Sequence, residues 1–151
     1  MKKLGVVIVT YNRINLLQEC VDHVLEQTVP FNSIIIVDNN SNDGTSNYLN
    51  SLSNNKKIHI ISLKENLGGS GGFYKGMEYA LSLNLDWLLL IDDDAIIDID
   101  FNEKIPFHED NSIKAYSGTV IKNGSIDYNH RRILKNINKF KEENVSEELY
   151  E

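Results

Sequence analysis

Three consecutive carboxylates, Asp92-Asp93-Asp94, follow the apolar run Trp87-Leu88-Leu89-Leu90-Ile91. Like charges this close repel one another and cost stability unless a cation offsets them. A hard divalent ion does so naturally, because Mg2+ and Mn2+ prefer oxygen ligands. Mg2+ takes only one or two carboxylates and completes its shell with phosphates and water. In a strand-to-loop turn the first and third carboxylates face the same way, which makes Asp92 and Asp94 the candidate metal ligands. The triplet would serve equally as a solvated acidic turn or a helix cap, where Asp is favoured. Its place straight after a buried strand favours the metal.

Three other clusters carry chemistry. Thr10-Tyr11-Asn12-Arg13 supplies a hydroxyl, an aromatic face, an amide and a guanidinium after the first apolar run. Arg13 suits a diphosphate, and Asn12 suits capping the helix that follows. Asp38-Asn39-Asn40-Ser41-Asn42-Asp43-Gly44 has the look of a calcium loop and fails the test. Its glycine comes one position late, and Leu49 stands where the closing Glu belongs. Asp38, at a strand end, is placed to accept hydrogen bonds from a base or ribose; the stretch also reads as an Asx-rich turn. In Asn66-Leu67-Gly68-Gly69-Ser70-Gly71-Gly72, glycine permits positive φ and close approach of a ligand. The amides of the following helix would face an anion. It is not a P-loop, since Met77 replaces the lysine after Gly71 and Gly76, and it misses the dinucleotide fingerprint. A flexible connector is the plainer reading. His23, His59, His108 and His130 show no metal-ligand spacing, and no Ser or Cys nucleophile constellation is present.

These clusters need elements to position them. Residues 4–10 read as a buried strand, and 13–27 as an amphipathic helix with Ile14, Leu17, Val21, Val24 and Leu25 on one face, ended by Pro30. Strands follow at 34–38, 58–63 and 87–91, with a short helix at 45–52. A glycine-rich loop at 64–72 precedes a helix at 73–83 carrying Phe73, Met77, Ala80 and Leu81. The alternation predicts an α/β fold, a mostly parallel sheet flanked by helices. Such sheets bind ligands outside the carboxyl ends of their strands, and all four clusters fall there. Beyond Asp94 the pattern weakens. Residues 114–121 read as a strand, Asn123-Gly124 as a hairpin turn with 125–128 returning, and Ile133, Leu134, Ile137 and Phe140 as a narrow helical face. The expected organisation is one domain over 1–128, then a charged, helical tail or the start of a second half over 129–151. The segment is expected to stop inside a larger catalytic domain.

A chain of 151 residues suffices for one domain with a real core. Its formal net charge of −7 argues against nucleic acid as a partner and against settling on an anionic membrane through this segment. The single cysteine, Cys20, allows no internal disulfide, suits a reducing compartment and sits on an apolar stripe as core. Lys2 and Lys3 before an apolar run imitate a signal peptide, but the run ends at Thr10 without a cleavage site. No run approaches the roughly 20 apolar residues of a membrane span. The expected location is cytoplasmic, or peripheral at the inner face of the membrane.

Four motifs now stand in order: Val6-Val7-Ile8-Val9-Thr10-Tyr11-Asn12-Arg13, Ile35-Ile36-Val37-Asp38-Asn39-Asn40-Ser41, Asn66-Leu67-Gly68-Gly69 and Leu90-Ile91-Asp92-Asp93-Asp94. In that order the chain resembles family 2 glycosyltransferases, inverting enzymes of the Rossmann-like GT-A fold. The branch it looks most like is that of the galactofuranosyltransferases and rhamnosyltransferases. The resemblance implies that Thr10, Tyr11, Asn12, Arg13, Asp38, Asn40, Asn66, Gly68, Gly69 and Asp93 line a nucleoside-diphosphate sugar. Thr10 and Arg13 would border the nucleotide and its phosphates, and Asp38 the base or ribose. Asp92 and Asp94 would clamp the diphosphate through Mg2+ or Mn2+. The implied reaction moves a sugar from a UDP or dTDP donor to a glycan or lipid-linked glycan acceptor in cell-surface polysaccharide synthesis. In such enzymes the general base lies well downstream, in the acceptor-binding half. Asp127 and His130 come too soon, so the base is expected beyond Glu151 and none is nominated. Two other readings stay open. A nucleotidyltransferase would carry a basic glycine-rich loop where this chain has Thr10 to Arg13. A non-catalytic nucleotide-sugar-binding domain would need no base.

Overall fold

The computed structural model describes residues 2–105, 107, 115, 118–127, 133–136 and 139–141. The chain forms two compact units, residues 1–106 and 107–151.

In the first unit, β1 (Leu4–Thr10) and β2 (Ser33–Asp38) are buried at every position. A strand covered on both faces must be largely apolar, and these are runs of mostly Val and Ile that close on Thr10 and Asp38, with Ser33 opening β2. They are flanked by β3 (Ile58–Ser62) and β4 (Trp87–Asp92), giving a parallel sheet of order β3-β2-β1-β4. The connections are α1 (Ile14–Leu25), α2 (Thr45–Leu52) and α3 (Gly68–Ala80), the last running into a 3-10 turn at Leu81–Leu83. Register sets the strand ends level: Thr10 pairs with Asp38, and Val9 with Asp92. Helix α1 buries Leu17, Cys20, Val21 and Val24. On the α3 side the core is Val7, Val9, Ile35, Val37 and Ala80, with Phe73 and Leu88 packed against it.

The structure corrects the reading of the glycine-rich segment. A loop was expected to reach residue 72, yet the helix begins at Gly68. The reason is packing. A Cβ on Gly72 would lie 2.5 Å from Val9 Cγ1, and one on Gly76 would meet Val7 more closely still. Spaced four apart on one helix face, these two glycines let α3 lie directly on β1. Glycine inside a helix costs about 1 kcal/mol relative to Ala, and close apposition of helix and sheet outweighs it.

After β4 the chain is steered back along α1. The buried Gln27 donates to the carbonyl of Asp98 at 2.7 Å, and its Oε1 accepts from the Asn102 amide at 3.1 Å. The Thr28 amide donates to Ile99 at 2.9 Å, and a one-turn α4 (Phe101–Lys104) follows.

In the second unit, β5 (Ile121–Lys122) and β6 (Ser125–Ile126) pair antiparallel. The turn has Asn123 at φ 53° and Gly124 at φ 75°, the left-handed pair that a two-residue hairpin favours and that Asn-Gly accepts at low cost. Of the strand expected over 114–121, residues 115 and 118–120 are not strand; 114, 116 and 117 lie outside the described residues, as do Tyr128, His108 and His130. Where the apolar spacing predicts a helix, β7 (Ile133–Asn136) and β8 (Lys139–Lys141) form an antiparallel pair instead. Asn136, which ends β7, is a poor helix former that favours turns. Among the described residues no helix is long and apolar enough to cross a membrane.

Candidate functional site

The acidic triplet alternates as its spacing requires. Asp92 ends β4 exposed, Asp93 is 0% exposed, and Asp94 faces outward again. Thr10, last in β1 and itself buried, donates its hydroxyl to Asp93 Oδ2 at 2.7 Å. Arg13, just before α1, places Nη2 2.6 Å from Asp93 Oδ1 and donates from Nη1 to Asp94 Oδ2 at 2.9 Å. The first of these is an ion pair without hydrogen-bond alignment, so Asp93 Oδ1 has a charge partner but no hydrogen bond. Burial pushes the Asp93 carboxyl up, and Asp94 and Asp92 add to that. The Thr10 hydroxyl and Arg13 pull it down without cancelling the rise. Beneath the triplet, Cys20 Sγ lies 3.9 Å from the Asp92 carbonyl oxygen. Burial, then Asp93 and Asp94, push its thiol up to about 12, so it is core and not a nucleophile.

Asp92 and Asp94 offer hard oxygen donors on the exposed side. Among the described residues no three His, Cys, Asp or Glu side chains are grouped to hold a metal ion. The donor set therefore does not fit an ion caged by protein alone. It fits one that takes its other ligands from a diphosphate and water.

The two loops beside the triplet are laced together. Asp38 Oδ1 accepts from the Ser41 amide at 2.9 Å, Ser41 Oγ from the Asn12 amide at 2.9 Å, and Asn12 Oδ1 from the Asn42 amide at 2.7 Å. Asn12 and Asn40 are left-handed, at φ 53° and 68°, which Asn tolerates better than other non-glycine residues. Asn12 consequently does not cap α1. Asp43 does so from the other loop: Oδ2 accepts from the Ile14 amide at 2.9 Å, and Oδ1 accepts from the Thr45 hydroxyl at 2.6 Å and amide at 3.2 Å. One carboxylate thus serves the starts of both α1 and α2. Desolvation raises its pKa, but the bonds from Thr45 and Ile14 outweigh that and hold it below the usual value.

Asp43→Ala is expected to cost about 1–2 kcal/mol, a typical loss for N-cap removal. A carboxyl depressed in the fold stabilises fully above its unfolded value, and that contribution disappears as pH falls through its folded value. The urea midpoints of wild type and Asp43→Ala should therefore converge as pH falls below the unfolded value of about 4.

The donor-side candidates divide by orientation. Tyr11, Arg13, Asn40, Asn66, Gly68 and Gly69 lie at the surface of this end of the sheet, with Asp92 and Asp94. Asn66 Oδ1 accepts from the Gly68 amide at 2.8 Å, and Gly68 takes φ 71°. Thr10, Asp38 and Asp93 are buried. Asp93, expected against the donor, is turned inward and holds Thr10 and Arg13 instead. Sequence reasoning missed Asp43 and Asn39 as site builders. Asn39 is buried, accepts from the Leu67 amide and donates to the Gly68 carbonyl, each at 3.3 Å. Their neighbours in a polar loop hid them, because a side chain that bonds a distant loop leaves no local pattern.

The fold recurs in solved glycosyltransferases. The mannosyltransferase PcManGT from Pyrobaculum calidifontis, in complex with GDP-Man and Mn2+, superposes with a TM-score of 0.56 at 22% identity, over 63% of this chain and 28% of that one. S. aureus TarS 1–349 in complex with UDP-GlcNAc gives 0.56 at 26% identity, over 67% and 29%. The sheet and its helices are the GT-A arrangement. The galactofuranosyltransferase GlfT1 of Mycolicibacterium smegmatis is 40% identical over 91 residues, 59% of this chain and 29% of that protein. Its counterpart in Mycobacterium tuberculosis (strain CDC 1551 / Oshkosh) is 37% identical over 92 residues. The chain thus spans under a third of the length of these relatives. The description Glycosyl transferase family 2 matches residues 5–149. A match over that much of its length, on a sheet whose strand ends carry the four motifs, makes this chain a member of glycosyl transferase family 2.

Proposed function

We propose that this chain builds the donor-binding part of a metal-dependent, inverting glycosyltransferase. Its donor is a nucleoside-diphosphate sugar, UDP or dTDP by our reading, and its acceptor a glycan or lipid-linked glycan of a cell-surface polysaccharide. We place the activity in the cytoplasm or at the inner face of the membrane. Donor binding is assigned to residues 1–128 and the start of the acceptor side to 129–151. One observation supports the reading above the rest: the ends of β1, β2 and β4 and the start of α3 form one hydrogen-bonded cluster at the carboxyl edge of the sheet. Ligands of such sheets bind at that edge.

In this reading Asp92 and Asp94 hold Mg2+ or Mn2+. When bound, the ion neutralises charge on the departing nucleoside diphosphate. Arg13, already beside Asp94, would contact the phosphates. Thr10 and Asp93 set the height of Arg13, and Tyr11, Asn40, Asn66, Gly68 and Gly69 bound the space for base, ribose and sugar. Deprotonation of the acceptor is assigned to none of the described residues.

The test is a thermal-shift panel of UDP, dTDP, GDP and CDP, each with Mn2+ or with EDTA, on wild type and Asp94→Asn. A nucleotide at 100 times its Kd adds about 2.7 kcal/mol. One nucleotide should raise Tm with Mn2+, and the rise should vanish with EDTA and in Asp94→Asn. The exposed Arg13–Asp94 pair contributes under about 1 kcal/mol, so its loss leaves the fold intact. No shift with any nucleotide would overturn donor binding. A shift indifferent to EDTA would overturn the metal.

A further inference from the structure

We infer that Asn39 is the positioning residue of the donor pocket, the side chain that fixes the start of α3 relative to β1 and β2; this rests on the donor-binding reading above. Asn39 follows β2, is 2% exposed and has its own amide bonded to the Thr10 carbonyl at 2.9 Å. Its backbone is therefore tied to the end of β1. Its carboxamide reaches across to the glycine-rich segment, accepting from Leu67 N–H and donating to the Gly68 carbonyl, both at 3.3 Å. That pairing imitates a backbone-to-backbone bridge between two segments 28 and 29 residues apart. No other short side chain carries a donor and an acceptor side by side in one plane.

The helix also rests on this amide. A Cβ on Gly72 would come within 3.0 Å of Asn39 Nδ2. At Gly72, one turn into the helix, α3 thus has two seats, Val9 on the sheet and the Asn39 amide at its rim. Between them they set where Asn66, Gly68 and Gly69 stand relative to Asp38. The segment has little else to hold it. Asn66 Oδ1 holds the Gly68 amide from within the segment, but Gly68 and Gly69 are exposed and a Cβ on either would touch nothing within 4 Å. A pocket wall on exposed glycines is only as well placed as its support, and loss of such a support typically weakens ligand affinity tenfold or more.

The experiment compares wild type, Asn39→Ala and a control, Val24→Ala, which removes buried volume from α1. Two quantities are measured well below each Tm: Kd for UDP and for dTDP with Mn2+ by calorimetry, and hydrogen exchange of the residue 67–71 amides. Asn39→Ala should expose the Leu67 amide to exchange and weaken the wild-type nucleotide about tenfold. Val24→Ala should lower stability and leave both readings unchanged. Faster exchange with unchanged Kd would overturn the inference, as would unchanged exchange. Wild type that binds neither nucleotide would overturn the donor reading and this inference with it, whereas equal binding by wild type and Asn39→Ala would overturn this inference alone. If Asn39→Ala does not fold, Asn39→Gln, which carries both groups one methylene further out, is read by the same criteria.

Discussion

Gly76→Ala will unfold at lower urea than wild type, while Gly69→Ala will be as stable or more so. Both sites are helical glycines, so a propensity argument would favour Ala by about 1 kcal/mol at Gly76 inside the helix and by less at Gly69 in its first turn. The surroundings separate them. Gly76 is buried, and a Cβ there would collide with Val7 and stand 3.3 Å from Val37 Cγ2. Val7 and Val37 belong to the two central strands and are 0% exposed, so neither can retreat. Forced insertion of a methyl into such packing costs about 1–3 kcal/mol, and Gly76→Val should cost more. At Gly69 a Cβ meets nothing within 4 Å, and the gain in helix propensity stands alone. Equilibrium urea unfolding of the variants reads the contrast. Equal stability for Gly76→Ala and wild type would mean that α3 does not lie this close to β1. Gly69→Ala has a second use: a chain as stable as wild type that binds UDP or dTDP less tightly would mark that glycine as donor contact.

Removing Arg13 will destabilise the protein, and removing the charge of Asp93 in the same chain will restore most of the loss. Asp93 is fully buried and the Arg13 guanidinium is its cation, while the Arg13 side chain is 43% exposed. Breaking a buried pair from one side costs about 3–5 kcal/mol because a charge is stranded. Solvent around Arg13 screens part of this, so Arg13→Met should lose about 2–3 kcal/mol. The double variant Arg13→Met with Asp93→Asn strands nothing, since Asn can still accept from Thr10. The pH profile carries the same sign. A carboxyl whose folded pKa lies above its unfolded one contributes stability below the unfolded value and loses it as pH rises through the folded value. The Arg13→Met deficit should thus be small near pH 3–4 and full at pH 7. A deficit that ignores both pH and the Asp93→Asn change would mean that Arg13 supports the fold by packing, not charge.

Much of this molecule was legible in its residues because the signals were local. Strand β1 was read at its observed ends because seven consecutive buried positions leave no room for polar residues before Thr10. Helix α2 was bounded by Gly44 and the polar residues after Leu52. The alternation of Asp92, Asp93 and Asp94 followed from the pleat of the strand they leave, and that alternation sent one carboxylate inward and two outward. The parallel order followed from strands separated by helices, which cannot be joined by hairpins.

What the residues alone did not decide were relations between segments far apart in the chain. Read locally, Gly68 to Gly72 is a loop, because isolated glycines disfavour helix; the helix exists there because β1 lies against it. Asn12 reads locally as the cap of α1, yet the cap is Asp43, about thirty residues away, because Asn12 has turned left-handed to bond Ser41 and Asn42. Asp93 reads as one of three equal carboxylates until Thr10 and Arg13 close on it. By itself the sequence determined the sheet, its strand ends and the chemistry gathered there, since burial and pleat act residue by residue. Only the tertiary structure decided which polar groups face a ligand and which are used in holding the others. Hydrogen bonds and charge pairs of that kind are made across folded distance, and nothing adjacent in the chain announces them.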